Sequence, residues 1–159
     1  MANQNPQLFI LAIIVIPAVI AGSFLAPTAF DLAFHRRPPE RYLIPDGFTG
    51  WVRIEYRHKG APPLPAEDGR RLLKLDAQGK IATSSEEQRG HGKDDYFYVG
   101  PHGRTPLSSA GVCKGGMIWQ IQNDLDERNS TPFTRFFVGT EDQYRHEVDP
   151  LGKTLPNCA

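Results

Sequence analysis

Two histidines and two aspartates flank one short apolar segment, and they are the residues of this chain most suited to hold a metal ion. His91, Asp94 and Asp95 precede the segment at residues 96–99, and His102 follows it. Imidazole nitrogens and carboxylate oxygens are common metal ligands. Their spacing matches no recognised ligand motif, and the glycines on both sides of His91 do not favour a rigid coordination shell. The pattern is more typical of a solvated loop than of a metal site.

A nucleophile with an aligned base is equally hard to find. The candidate nucleophiles are Ser84, Ser85, Ser108, Ser109 and Cys113. None of the serines lies in a Gly-x-Ser-x-Gly motif, and Cys113 has only Lys114 beside it as an activating cation. Residues 111–116 are glycine-rich but lack the Gly-Lys-Ser/Thr ending that positions phosphate and magnesium. We expect no catalytic residue, metal or cofactor; the alternative is a metal-dependent or hydrolytic enzyme that uses the loops around His91 and His102.

The N-terminal segment has a composition unlike the rest of the chain. Every Lys, Arg, Asp and Glu lies from Asp31 onward, and residues 8–26 are apolar except for Pro17 and Ser23. As a helix this run would be about 28 Å long, close to the thickness of the hydrocarbon core of a bilayer. The sequence therefore predicts an N-terminal hydrophobic helix that contacts a membrane through residues 8–26.

The apolar run is better suited to an uncleaved anchor than to a cleaved signal peptide. Signal peptides usually begin with basic residues and have an apolar stretch of about 7–15 residues. Here no Lys or Arg precedes the run, and the run is longer. A cleaved signal with its cleavage site after Ala21 is the first alternative. A buried helix of a soluble protein is the second, and Pro17 disfavours it because a proline would kink such a helix. No cysteine follows the run closely, which excludes lipid attachment there.

Two patterns in the sequence disagree about the side of the membrane on which the body lies. The positive-inside rule counts Lys and Arg near the membrane, and Arg36, Arg37 and Arg41 follow the run. Taken alone, the rule places the body in the cytoplasm. Cys113 and Cys158 would oppose it if they paired, because a disulfide closing a loop of about 45 residues indicates an oxidising compartment. Two free thiols are an equally simple interpretation.

Composition divides the chain into four parts. These are an anchor or signal at residues 1–30, a proline-rich linker at 31–40, a domain at 41–150 and a C-terminal tail at 151–159. The net charge is zero, and no basic stripe is evident, so nucleic acid is not an expected partner. The expected partners are the membrane and a protein or cell-envelope component.

The body predicts many short strands, because glycine and proline interrupt it often and most apolar runs are too short for a helix. Residues 51–56 alternate, with Val52, Ile54 and Tyr56 on one face. Further strands are predicted at 71–75, 80–83, 96–99, 117–122 and 134–138. In the strand at 117–122, Met117, Trp119 and Ile121 lie on one side. The aromatic residues of these strands are expected to supply most of the core.

Turns and one helix complete the predicted elements. Gln78-Gly79 is a credible hairpin turn between the second and third strands. Thr140 with Gln143 three residues later predicts a capping box and a helix over residues 141–147. Residues 84–95 are expected to form a polar loop, and residues 122–128 fit either a helix or a loop.

The body resembles an uncharacterised bacterial family of domains of unknown function. The resemblance begins with YLIPDGFTGWVRIEY at residues 42–56, continues through APPLP at 61–65 and ends with FFVGTE at 136–141 and Tyr144. It covers about residues 41–146 and implies a small secreted or membrane-tethered β-domain, similar to transthyretin-type or immunoglobulin-type sandwiches. It implies no known activity and carries over no catalytic residue.

The sequence thus predicts a mainly β protein: a small antiparallel β-sandwich with one short C-terminal helix, preceded by an N-terminal hydrophobic helix. Its expected location is a membrane, with a single pass and the body in the periplasm or at the cell surface. Its expected role is non-catalytic, as a binding or envelope-structural module that presents loops at one end of the sandwich.

Overall fold

The computed structural model describes residues 37–90, 92–127, 130–152 and 154–158, and these contain nine strands and one helix. The strands are β1 (Glu40–Pro45), β2 (Gly50–Glu55), β3 (Ala66–Glu67), β4 (Arg70–Lys74), β5 (Lys80–Ala82), β6 (Asp95–Gly100), β7 (Gly103–Pro106), β8 (Ile118–Leu125) and β9 (Pro132–Val138). The helix, α1, is Glu141–Val148. A mainly β body with one short C-terminal helix is therefore confirmed.

The strands form two sheets with both parallel and antiparallel neighbours. One sheet has the order β3-β4-β1-β6-β7 and the other β5-β2-β9-β8. The central strand β1 runs parallel to both β4 and β6, and β2 runs parallel to β5. The prediction of a purely antiparallel architecture was wrong, because the chain alternates between sheets. A return strand in the opposite sheet serves as the crossover that parallel neighbours require.

The predicted hairpin at Gln78-Gly79 was wrong for the same reason. A tight turn does form, with Gly79 N donating to Asp76 O and Asp76 N to Lys80 O. The turn does not pair the flanking strands with each other: β4 pairs with β1, whereas β5 pairs with β2 in the other sheet. Local turn chemistry was predicted correctly, but the choice of partner strand depends on distant residues.

Both sheets contribute to one hydrophobic core. Its buried members are Tyr42, Ile44, Val52, Ile54, Tyr56, Leu73, Leu75, Tyr96, Ile118, Phe136 and Val138. The rings of Tyr42 and Tyr96 stack with centroids 4.7 Å apart, and Phe136 meets both edge-on. A second cluster of Trp119, Phe137 and Tyr144 joins the helix to the four-stranded sheet.

An irregularity in β8 changes the predicted face of one residue. The register of β8 against β9 shifts between Trp119 and Gln122, and Gln120 has a positive φ of 51°. Such a bulge reverses the alternation of side chains beyond it. Trp119 is buried, whereas Ile121 is 52% exposed, so the prediction that the two share one side was wrong.

The helix was predicted closely. Thr140 Oγ1 accepts from Gln143 N, and the Gln143 side chain accepts from Thr140 N, which together form the capping box. For residues 122–128, the sequence allowed either a helix or a loop. In the structure, residues 122–125 continue strand β8, which ends at Leu125. Residues 103–106, directly after His102, form the edge strand β7.

Charged side chains link the edges of the five-stranded sheet. Arg104 on β7 donates to both carboxylate oxygens of Glu67 on β3, at 2.5 and 2.9 Å, and Arg41 on β1 donates to the same group at 2.6 Å. Hydrogen bonds from Arg104, and then from Arg41, lower the pKa of Glu67 to about 2.

Among the described residues, no helix has the length and apolar character needed to cross a membrane. The predicted hydrophobic helix at residues 8–26 and most of the linker lie outside these residues.

Gly79 provides a test of the turn between the sheets. It has a φ of +73°, and a Cβ there would lie 2.2 Å from Cζ of Phe48. We expect Gly79→Ala to lower the free energy of unfolding by about 1–2 kcal/mol from the backbone conformation and by about 1–3 kcal/mol more from the overlap. Urea denaturation of the full chain in detergent, followed by tryptophan fluorescence, measures the change.

Gly69 is the matched control for that substitution. Its φ is +74°, but no atom lies within 4 Å of the added Cβ. Gly69→Ala should therefore show only the smaller, backbone contribution. Equal losses in the two variants would contradict the packing of Phe48 against this turn.

Candidate functional site

The described residues among the metal-ligand candidates, Asp94, Asp95 and His102, are not brought together by the fold. Asp94 and Asp95 lie at the start of β6, and His102 lies in the turn beyond its end. A strand rises about 3.3 Å per residue, so β6 separates these positions by roughly 20 Å. His91 lies outside the described residues.

Both aspartates have structural partners. Asp94 Oδ1 accepts from Glu40 N at 3.0 Å. The Asp95 carboxylate lies 3.2 Å from Arg70 Nε and 3.8 Å from Arg41 Nη2. These contacts secure the start of β6 against β1 and β4.

The serines considered as nucleophiles shape loops. Ser85 Oγ accepts from Leu64 N at 2.9 Å, and Ser108 Oγ accepts from Ala110 N at 3.1 Å. Side-chain acceptors of this kind are typical of turns. The structure gives these hydroxyls the role of fixing backbone.

The two cysteines form a disulfide bond. Cys113 lies between β7 and β8, Cys158 lies beyond the helix, and their Cα atoms are 5.2 Å apart. The pairing resolves the choice between a disulfide and two free thiols. It also removes Cys113 as a nucleophile in this form of the protein.

The helix supplies the polar surroundings of the disulfide. Glu141 Oε2 accepts from Cys113 N at 2.7 Å, and Glu141 Oε1 accepts from Arg145 Nε and Nη2 at 2.9 and 2.6 Å. Arg145 also donates to Pro156 O at 2.6 Å. The Arg145 hydrogen bonds, and to a smaller degree the one from Cys113 N, hold the pKa of Glu141 below its ordinary value.

A buried carboxylate turns the chain back towards the disulfide. Asp149, which follows the helix, accepts from Thr154 N and Leu155 N at 2.9 and 2.8 Å. Leu155 then packs against the second hydrophobic cluster. The position of Cys158 is therefore set by packing and hydrogen bonds as well as by the covalent bond.

Cys113, Glu141 and Cys158 are the only potential metal ligands that converge as a group of three among the described residues. In the disulfide the two sulfur atoms are bonded to each other and carry no thiolate charge, which is the form that binds a metal. Cys158 Sγ also lies 3.4 Å from the guanidinium of Arg145. The arrangement is suited to a covalent clamp rather than to a metal centre.

A cleft of about 590 Å³ lies at the end of β2, and we call it the basic cleft. Its described lining is Arg57, His58, Lys59, Ser130, Thr131 and Pro132. It therefore combines two permanent cations, an imidazole and two hydroxyl groups. Arg57, His58 and Lys59 are all exposed.

Two residues with unusual backbone conformations form the walls of the basic cleft. Arg57 has a φ of 53° and Ser130 a φ of 54°. Arg57 Nη2 donates to Ser130 O at 3.4 Å, and Tyr56 N donates to Pro132 O at 2.9 Å. Left-handed backbone at residues other than glycine is uncommon and is enriched at functional sites.

The basic cleft was not predicted from the sequence. The available signal was the run of three basic residues at 57–59, directly after a predicted strand. The zero net charge concealed this run, because the acidic residues that balance it lie elsewhere. The opposite wall, at residues 130–132, is distant in sequence and is brought close only by the pairing of β2 with β9.

Comparisons with known proteins place the fold but not the chemistry. The model of one protein family, described as Family of unknown function (DUF6843), matches residues 36–147. The crystal structure of a protein described as "Putative Lipoprotein from Bacillus anthracis" superposes with a TM-score of 0.53 and 24% identity, over 76% of this chain and 82% of that chain. At this identity the likeness concerns the fold alone. No curated protein matches the sequence.

Glu141 provides a pH-dependent test of the disulfide site. Because its pKa is lower in the folded protein than its ordinary value of 4.5, the carboxylate stabilises the fold above pH 4.5, and this stabilisation is lost as the pH falls through the folded-state pKa. We expect Glu141→Gln to be less stable than the wild type at pH 7, with the difference shrinking towards pH 2.

Urea denaturation of the full chain at a series of pH values measures that difference. Asp142→Asn is the matched control, since Asp142 is also acidic and in the first turn of the helix. Among the described residues, Asp142 makes no hydrogen bond to the segments that carry Cys113 and Cys158. A pH-independent difference for Glu141→Gln would contradict the assigned role of the ionised carboxylate.

Proposed function

The chain belongs to the DUF6843 family of unknown function, and we propose that it is a membrane-tethered extracytoplasmic domain with a non-catalytic binding or envelope-structural role. The membership confirms the resemblance found from residues 42–56 and 136–141. Because the family is defined by no activity, the role is argued from this chain's own residues.

The disulfide is the observation that carries the proposal. Cys113 and Cys158 account for both cysteines of the chain and are bonded to each other. Disulfides persist in oxidising compartments outside the cytoplasm and are rare within it. This supports a body on the outer side of the membrane, against the three arginines that follow the apolar run.

The tether we propose is the apolar run at residues 8–26. The superposed crystal structure comes from a protein described as "Putative Lipoprotein", and attachment of this chain to a membrane surface would be consistent with that description. The two cysteines of the sequence are paired with each other at positions 113 and 158, so the attachment we propose uses the apolar run and not a lipid-modified cysteine. A spanning or inserted apolar segment would serve the same purpose.

The non-catalytic part of the proposal follows from how the fold uses its polar residues. Asp94, Asp95 and Ser85 fix backbone or charged side chains, and β6 holds the acids away from His102. A binding module needs only an accessible surface with complementary chemistry. The two sheets with their shared core would then act as a sandwich, of the transthyretin or immunoglobulin kind, that presents loops at its ends.

Thiol labelling in intact cells tests the compartment. If the body is extracytoplasmic, a membrane-impermeant maleimide should label the wild-type chain only after treatment with a membrane-impermeant phosphine reductant, because the disulfide protects both thiols. Any outer cell layer is permeabilised beforehand, and labelling is detected by a mass shift on a gel.

The Cys113→Ser/Cys158→Ser variant is the control and should remain unlabelled under every condition. Cys158→Ser alone leaves one free thiol and should be labelled without reduction. Labelling that requires lysis of the cells would place the body in the cytoplasm and contradict the proposal.

A further inference from the structure

We propose that the basic cleft binds the phosphate of an anionic lipid headgroup in the membrane to which the chain is tethered. The inference rests on the proposed function, since it requires a tether at residues 8–26. It adds a ligand, a binding site and an orientation of the body.

The chemistry of the basic cleft is suited to a phosphate. Arginine presents a planar fork of donors that matches phosphate oxygens, and lysine adds a compact positive charge. The hydroxyl groups of Ser130 and Thr131 line the opposite wall. A carboxylate near the site, Glu86, is 77% exposed and lies 3.9 Å from Arg57 Nε, so solvent screens most of its attraction.

Backbone hydrogen bonds hold the residue 57–59 segment in place, and the side-chain contacts of Arg57 are the long hydrogen bond to Ser130 O and the exposed pairing with Glu86. Arg57 N donates to Ser85 O at 3.0 Å, and His58 N donates to Thr83 O at 2.9 Å. Within the described part of the chain, Lys59 has no ion-pair partner. The left-handed φ of Arg57 is therefore maintained by backbone hydrogen bonds, while its side chain faces the open cleft.

The basic cleft lies at the end of the body where the first strand, β1, begins. β1 begins at Glu40, and a short turn at residues 46–49 reverses the chain into β2. The start of β1 and the end of β2 are therefore at the same end of the body. Burial, and then the charge of Glu40, raise the pKa of the phenol of Tyr56, which lies just beyond the end of β2.

The linker limits how far this end can be from the bilayer. Thirteen residues, 27–39, separate the apolar run from β1, and a fully extended chain of that length spans at most about 45 Å. A bilayer that holds the apolar run is therefore within about 45 Å of the start of β1. Basic residues near an anionic surface gain about 1 kcal/mol each, which makes a lipid phosphate a more accessible ligand than a dilute soluble one.

Lysine reactivity in reconstituted membranes tests the assignment. The full chain is placed in nanodiscs of phosphatidylcholine, in nanodiscs in which about one third of the lipid is phosphatidylglycerol, and in phosphatidylcholine nanodiscs with soluble glycerol 3-phosphate. The rate at which an amine-reactive ester modifies Lys59 is measured by mass spectrometry, with Lys74 of the same molecule as the reference. Lys74 is exposed at the far end of β4.

We expect phosphatidylglycerol to slow modification of Lys59 roughly tenfold relative to Lys74, and glycerol 3-phosphate to leave it unchanged. Arg57→Gln should abolish most of this protection, because it removes the neighbouring phosphate ligand. Lys114→Gln removes one exposed positive charge from another loop and should retain the protection.

Each other result would overturn a defined part of the account. Protection that persists in Arg57→Gln would indicate a diffuse surface potential and contradict the site. Protection by glycerol 3-phosphate would assign the site to a soluble phosphate in place of a lipid. A chain that enters the nanodiscs without protection of Lys59 overturns the lipid assignment alone, whereas a chain that does not enter them overturns the tether and the assignment together.

Discussion

The buried ion pair between Glu40 and Arg71 links the first strand to β4 and to the loop that carries Glu86. Glu40 is 2% exposed; it accepts hydrogen bonds from the guanidinium of Arg71 and, at 2.7 Å, from the hydroxyl of Tyr42. Removing one partner of such a buried pair typically costs about 3–5 kcal/mol, because it leaves an uncompensated charge. Burial, and then the charge of Glu40, raise the pKa of the Tyr42 phenol.

This ion pair connects the start of β1 with the segment that lines the basic cleft. Arg71 also donates to Glu86 O at 2.8 Å, and the preceding residue, Ser85, accepts from Arg57 N. The pairing of β1 with β4 and the position of the residue 57–59 segment are thus fixed by one connected group of contacts. At the other end of the chain, the disulfide and the carboxylate of Asp149 close the C-terminal segment onto the helix.

The features that local chemistry determines were predictable from the sequence, and those that depend on distant partners were not. The helix followed from Thr140 and Gln143, because both capping hydrogen bonds lie within four residues. Strand β2 followed from its alternation. The parallel neighbours of β1, the bulge in β8 and the pairing of Cys113 with Cys158 each depend on residues far apart in sequence. The basic cleft was not predicted for the same reason, since one of its walls, at residues 130–132, is brought to the end of β2 only by the pairing of β2 with β9.

The central claim is that the end of the body carrying Glu40 and the basic cleft faces the bilayer. Paramagnetic relaxation tests it most directly, using the full chain in phosphatidylglycerol-containing nanodiscs with a nitroxide on the lipid headgroup. The account predicts that the amide signals of residues 56–59 broaden strongly, while those of the turn at residues 46–49, at the opposite end, stay sharp. Equal broadening at both ends, or stronger broadening at residues 46–49, would contradict it.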